Sequence, residues 1–382
     1  MTLNHASFYR KFDEVNDLMS EASVLFEVKN NVGSIRLNRP KVLNSLNAEM
    51  VRLLSRQLIE WEYDPSISLV VISGEGTKGL CAGGDMRAIY DLRDSNILGL
   101  AREFFSTEYS MDIMIHQYPK PVIVNMDGIV MGGGVGLSVG ASHRIVTEKT
   151  KWAMPEMNIG FFPDVGASYF LNQMPGFTGR YLALTSGIIK AQDVMYAGAG
   201  DYFMNSDNWT NLTTDLFNTD WALNDVEDEV NRILKRYCQP IDVKNANLAT
   251  VQEKIDQHFS HISMEEIISS LEGAANNGDE WAKETLHTLL SKSPTSLKVT
   301  LRQLQEGENK SLVDCFKMEF ILGMNFMTLP DFYEGVRAVL VDKDRSPKWS
   351  PSQFKDVTEE AVSAFFRWEE DEDLLNKFDT LK

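Results

Sequence analysis

The chain has 382 residues, a formal net charge of −18, and 43% apolar and 24% charged residues. That length buries a large core in one domain or two, and the fractions are those of a soluble globular protein. The charge excludes a nucleic-acid role because phosphates would be repelled, although a local basic patch still admits a small anion.

Residues 1–22 read as an N-terminal extension with one short amphipathic helix and no secretory or transit pattern. The expectation is a cytoplasmic protein if the chain is bacterial, with the mitochondrial matrix open for a eukaryotic relative. Apolar and polar residues alternate on both sides of Asn30 and Asn31, which predicts a hairpin with strands at about 23–29 and 33–38. Asn47 is placed to cap a helix in which Met50, Leu53, Leu54 and Leu58 recur at helical spacing, ending before Pro65. Residues 68–73 read as a short buried strand, and Gly74, Gly76 and Gly79 then open a loop leading to residues 80–86, LCAGGDM. A helix at roughly 97–117 precedes Pro119 and Pro121, and a strand follows at 122–126. Residues 121–141 are the nearest thing to a membrane span, but Asn125, Asp127 and six glycines make them a buried core segment, so no membrane role is expected.

Residues 144–146 are a further short apolar stretch, and strand signals end with residues 201–204. From about 209 to 340 the chain reads as successive amphipathic helices, one of them starting at Ser293 with Pro294 in its first turn. The acidic run at 369–373 is most simply a solvated face. The division is an extension at 1–22, an α/β core at 23–208, and a helical C-terminal region at 209–382 that completes the fold. Cys81, Cys238 and Cys315 lie far apart, with neither a disulfide framework nor a zinc spacing, which points to a reducing compartment.

The chemistry concentrates in residues 121–166. An apolar run enters Gly132, Gly133 and Gly134, and two carboxylates follow, Glu156 and Asp164, each directly after a proline. The glycines are no Walker loop, since no Gly-Lys-Ser/Thr follows, and they lack dinucleotide-fingerprint spacing. Alone, a glycine run equally marks close helix–strand packing. Two Gly-rich loops, each after an apolar strand, say more, because N–H donors from different loops can converge on one oxygen. Asp85 suits a helix cap and Cys81 a small buried residue, and the six histidines form no metal spacing.

The segments LNRPKVLNSLNAEM, CAGGDMRAIY, FFSTEY, MGGGVGLSVGASHRI, MPEMNIGFFPDVGASYFL and DFYEGVRAVLVDKDRSPKWSP together resemble the crotonase (enoyl-CoA hydratase/isomerase) superfamily, most of all its 3-hydroxyisobutyryl-CoA hydrolase branch. The resemblance implies a spiral core of ββα units, with the last segment specific to the hydrolase-like branch. It places the oxyanion-hole amides on Gly84 and Gly133. Of the hydratases' two glutamates, one matches Glu156; the other falls on Gly136, and Asp164 stands where hydratases have glycine. Glu108 matches a further acidic position of the hydrolase site, although as a helix residue alone it reads as a solvated carboxylate. The implied reaction is hydrolysis of 3-hydroxyisobutyryl-CoA in valine breakdown, with Glu156 as nucleophile or general base and Asp164 orienting the 3-hydroxyl or the water. Acyl-CoA is the expected partner and the CoA moiety is a substrate handle, so no separate cofactor or metal is implied; self-association into a homo-oligomer is open. Lys41 and Arg87 adjoin the motifs as candidates for the CoA phosphates, with solvated surface as their default. The rival expectations are a hydratase or isomerase of the same fold and a catalytically silent acyl-CoA-binding protein.

Overall fold

The computed structural model describes residues 22–93, 96–222, 225–368 and 372–381. The expected N-terminal helix and most of the acidic run at 369–373 lie outside these residues.

Strands Val24–Lys29 (β1) and Val32–Leu37 (β2) pair antiparallel across Asn30 and Asn31, whose φ angles of 48° and 68° suit the two-residue type I′ turn that asparagine tolerates. Helix Ala48–Tyr63 (α1) follows; Asn47 caps it by accepting from Met50 N, and Met50, Leu54, Leu58 and Trp61 form its buried face.

Two-strand units then repeat. Leu69–Gly74 (β3) and Gly79–Cys81 (β4) lead into helices Met86–Asp91 (α2) and Ile97–His116 (α3). Val122–Met126 (β5) and Ile129–Met131 (β6) lead into helix Gly133–Val139 (α4), and His143–Val146 (β7) and Lys151–Ala153 (β8) follow. With Ile189–Lys190 (β9) and Tyr202–Phe203 (β10), the first strand of each unit joins a six-stranded sheet, β1-β2-β3-β5-β7-β10. The second strands build a four-stranded sheet, β4-β6-β8-β9. Every pairing is parallel except β1–β2 and β8–β9, so each ββα unit advances both sheets by one strand, the spiral the resemblance implied.

The short strands correct the sequence reading, which opened a loop at Gly74, Gly76 and Gly79 leading to residues 80–86 and assigned no strands to 79–81, 129–131 or 151–153. Three residues are too few to show a period of two.

The larger sheet is buried on both faces. Ile35, Leu37, Val70, Ile72, Val122 and Val124 face the main core. Val32, Leu69, Val71, Ile123 and Ile145 form a second cluster with Leu212, Leu216, Val230, Ile233 and Leu234 from helices Trp209–Asn218 and Val226–Tyr237. The described residues after β10 carry helices only, among them Pro294–Gly307 (α5), Leu312–Phe326 (α6) and Pro330–Val336 (α7). Ser293 caps α5 by accepting from Ser296 N, with Pro294 in the first turn, as its sequence signal predicts.

Candidate active site

Because β4 and β6 are parallel neighbours, the loops that follow them leave the same end of the smaller sheet. Gly83 (φ 101°) and Gly132 (φ 50°) turn those loops through backbone conformations that side chains rarely adopt. The Gly84 nitrogen lies 3.4 Å from the place a Cβ on Gly133 would occupy, so the two amides stand side by side. Among the described residues neither N–H has a protein acceptor, and Gly133 opens α4, where N–H groups are free by construction. The arrangement suits an oxygen that develops negative charge.

Three expected carboxyls converge on the same place. Glu156 starts the 3₁₀ turn Glu156–Ile159 after β8; it is 7% exposed, its Oε1 lies 2.8 Å from the Cβ position of Gly132, and its Oε2 has no partner. Asp164, also 7% exposed, accepts a hydrogen bond of 2.8 Å from the Tyr109 hydroxyl. Glu108 is only 2% exposed, which overturns its reading as a solvated helix carboxylate: the face of α3 that carries it packs on α4, and its unpartnered Oε1 lies 2.6 Å from the Cβ position of Gly133. Burial pushes Glu108 and Glu156 well above the usual carboxylate range, and the charge of Asp164 pushes both further. Burial raises Asp164 to about 6 against the opposing pull of the Tyr109 hydrogen bond.

Two buried acids escaped the sequence reading. Asp112, on the turn of α3 after Glu108, is 0% exposed, and neither of its oxygens has a partner. It stands against Gly136: a Cβ there would lie 2.7 Å from Asp112 Oδ2 and 2.9 Å from Val165 Cβ. The contact belongs to a register in which Gly133 meets Glu108, Gly136 meets Asp112 and Gly140 meets His116, one ionisable residue per turn of α3. The i, i+4 spacing from Glu108 was the signal that could have found Asp112. Glu319 on α6 accepts from Gly166 N (2.7 Å), Ser168 N (2.8 Å) and Ser168 Oγ (2.5 Å), which ties down the loop that carries Asp164. Those partners on the Asp164 loop are more than 150 residues away, so no local pattern announces the contact.

The C-terminal helices brace the same two loops. Gln303 Nε2 donates to Pro163 O at 2.7 Å, and Phe316 packs on Gly166. Asp331, inside the last matching segment, accepts from Ser293 Oγ (2.6 Å) and Ser350 N (2.7 Å). Gly335 and Trp349 press on Ile159 and Gly160, the end of the Glu156 turn.

The remaining candidates fall elsewhere. Cys81 is buried with its thiol pushed up to about 12, chiefly by desolvation, which suits packing and not attack. Asp85 caps α2 by accepting from Ala88 N, and pairs with Arg39 at 3.0 Å. Lys41 lies exposed on the turn Pro40–Val42; Arg87 is exposed on α2 with Asp91 3.9 Å away, and neither is drawn into the carboxyl cluster. No helix among the described residues is long and apolar enough to cross a membrane.

The family model for enoyl-CoA hydratase/isomerase matches residues 32–366. The mitochondrial 3-hydroxyisobutyryl-CoA hydrolase of Gallus gallus is 43% identical over 352 residues, 91% of this chain and 89% of the relative. The Homo sapiens protein of the same name is 42% identical over 348 residues, 90% and 88%. Among solved structures, a carnitinyl-CoA dehydratase from Mycobacterium thermoresistibile superposes with a TM-score of 0.84 at 35% identity, covering 92% of this chain and 98% of that one. An enoyl-CoA hydratase from Rhodobacter sphaeroides 2.4.1 gives 0.80 at 34% identity, covering 90% and 97%.

Proposed function

This chain belongs to the crotonase (enoyl-CoA hydratase/isomerase) superfamily, close to the 3-hydroxyisobutyryl-CoA hydrolase branch, with hydrolase or hydratase chemistry on acyl-CoA substrates; from that premise we propose that it hydrolyses the thioester of 3-hydroxyisobutyryl-CoA. Thioester and water give the carboxylate, the free thiol of CoA and one proton. The N–H groups of Gly84 and Gly133 receive the thioester oxygen as it becomes an oxyanion. Glu156 acts on the acyl carbon, as nucleophile or by drawing a proton from water. Asp164, held by Tyr109, orients the 3-hydroxyl or the water, with Glu108 beside the amide of Gly133 in support.

The observation that carries this reading is at Gly136. No acid projects from α4 there, and Asp112 and Val165 close the space a side chain would enter. The carboxylate pair that adds water across two carbons therefore lacks one member on α4, while the amide pair, Glu156 and Asp164 suit a thioester carbonyl. A second reading, hydration of an enoyl-CoA, is favoured by one specific feature, the Asp112 carboxyl that fills the space beside Gly136, and by the names of the two solved relatives.

A panel of acyl-CoAs separates the readings, with free thiol and enoyl absorbance followed together. The expected result is thiol release from 3-hydroxyisobutyryl-CoA without appreciable hydration of crotonyl-CoA. Fast hydration with no thiol would overturn the hydrolase reading, and binding with no turnover of either would favour a silent acyl-CoA-binding protein.

A further inference from the structure

Asp112 is a costly residue to bury. Neither of its oxygens has a partner, although groups of this kind in folded proteins are almost always hydrogen-bonded. The groups whose charge acts on it are all acids: Glu108 from its own helix, Asp164 from the loop after the Glu156 turn, and Glu319 from α6, with the Cys81 thiol at the end of β4 also near. His116, one turn further along α3, is lowered to about 4 by burial and stays a neutral imidazole. The fourth side is α4, which presents Gly136 and carries no titratable residue. No described cation lies among the contacts that tune these groups.

Glu108 and Asp112 follow one another at i, i+4 on the face of α3 that packs on the glycines of α4. Their Cβ atoms are then about 6 Å apart, within reach directly after a side-chain rotation or across one water. Two carboxyls this close and this dry cannot both ionise; they titrate as a pair and share one proton over a wide range of pH. The two members are not equivalent. Glu108 sits at the mouth of α4 beside the free amides, where a ligand's polar atom can stabilise its charge, whereas Asp112 lies one turn deeper against Val165 and Gly136. The member with no access to a ligand is the better place for the proton.

We propose that Asp112 is a positioning residue that acts through Glu108: its carboxyl keeps the shared proton, so that Glu108 meets the substrate as a carboxylate acceptor. The proton count differs between two substitutions. Asp112→Asn leaves a permanent donor beside Glu108 with nothing to ionise. Asp112→Leu removes the donor, and the lone desolvated Glu108 must take up a proton itself.

Two measurements test this. The first is the infrared band of protonated carboxyls in the free protein at pH 7, which needs no turnover. Asp112→Asn should lose the intensity of one protonated carboxyl, and Asp112→Leu should keep it. Unchanged intensity in Asp112→Asn would mean that Asp112 was already ionised or that Glu108 takes up the proton beside the amide, and either would overturn the proposal. The second rests on the hydrolytic reading and follows thiol release against pH. Asp112→Asn should stay within about 3-fold of wild-type kcat, with the alkaline limb of its pH profile moved up by about one unit or more, because the second acid is gone. Asp112→Leu should lose about 10-fold or more in kcat with KM little changed. A Leu variant with the wild-type kcat and profile, or an Asn variant impaired as badly as Leu, would refute the proposal. A wild-type protein that releases no thiol would instead refute the hydrolase reading, and the infrared result would still decide the pair.

Discussion

The Tyr109 hydroxyl donates to Asp164 Oδ2 at 2.8 Å, both groups buried, and this hydrogen bond opposes the burial that lifts Asp164 to about 6. The bond favours the charged carboxylate, so removing it must raise the pKa further. Tyr109→Phe should therefore move the acid limb of kcat/KM to higher pH, by about one unit for a hydrogen bond to a charged group. Activity above that limb should be largely kept. An acid limb that does not move would mean that Asp164 is not the group titrating there.

The two amide-bearing glycines predict different costs. A Cβ on Gly84 would meet the end of the flexible Met86 side chain at 2.5 Å, which can swing away. A Cβ on Gly133 would meet Glu108 Oε1 at 2.6 Å and Leu46 Cδ1 at 3.3 Å, pushing an acid of the site aside. Gly133→Ala should lower kcat by about 10²-fold, the scale of losing one oxyanion contact, and Gly84→Ala by distinctly less. Steady-state kinetics on both, with circular dichroism to confirm folding, checks the order; the reverse order would contradict the geometry.

Glu156→Gln keeps the shape of the side chain and removes both nucleophilicity and basicity. Turnover should fall by at least ~10²-fold while acyl-CoA binding, followed by calorimetry, survives. Normal hydrolysis by this variant would exclude both roles of Glu156. In the wild type, a single turnover in heavy-oxygen water that labels the protein and leaves the acid unlabelled would identify Glu156 as nucleophile.

Stability should fall as pH rises through neutrality. Glu108, Asp112, Glu156, Asp164 and Glu319 all have folded pKa values raised above their unfolded ones, Asp164 to about 6 and Glu319 to about 8. The folded state therefore binds more protons than the unfolded chain, and the sign of the linkage is a loss of stability with increasing pH. The contribution is complete below the unfolded values near 4 and is lost as pH climbs through the folded ones. Carboxylates held low, such as Glu334 by Arg337 and Asp279 by Lys254, bring the opposite loss in acid. Tm by calorimetry should peak at about pH 5 and decline to pH 9. Glu319→Gln should flatten the decline between about pH 6 and 8. A Tm that rises across that interval would refute the argument.

We propose that the region beyond about 210 completes the fold. Cutting there strips the helices from Val32, Leu69, Val71, Ile123 and Ile145, and removes Gln303, Phe316 and Glu319 from the Asp164 loop. The truncated chain should be insoluble, or loosely packed and dye-binding, with no turnover. A truncated core that unfolds cooperatively and keeps full activity would refute it.

What was legible in the chain was local. The Asn30-Asn31 turn, the Asn47 cap and the Ser293-Pro294 start each rest on a few adjacent residues, and each stands where its pattern put it. Glu156 and Asp164 stood out because a proline precedes each, and Glu108 only through a six-residue motif, although it falls at helical spacing from Ala101, Phe104 and Phe105 on the buried face of α3, opposite the polar stripe of Arg102, Glu103, Ser106 and Ser110. Asp112 looked like any helix aspartate until Gly136 was seen to face it across the α3–α4 contact. Tyr109 reaches Asp164 55 positions away and Glu319 reaches Gly166 and Ser168 153 and 151 positions away, and nothing in a linear pattern encodes a hydrogen bond closed by tertiary packing.

The register of Gly133, Gly136 and Gly140 against Glu108, Asp112 and His116 also governs how this site can change over generations. An acid introduced at 136 arrives where Asp112 already stands, and a small residue at 112 alone leaves a hole beside a glycine. Each single step should be worse than either end point, so conversion to a chemistry that needs an acid on α4 requires both substitutions together, with Val165 giving way as well. Sequence drift one residue at a time should leave the pair locked, and a Gly136→Glu, Asp112→Gly double variant should fold better than Gly136→Glu alone.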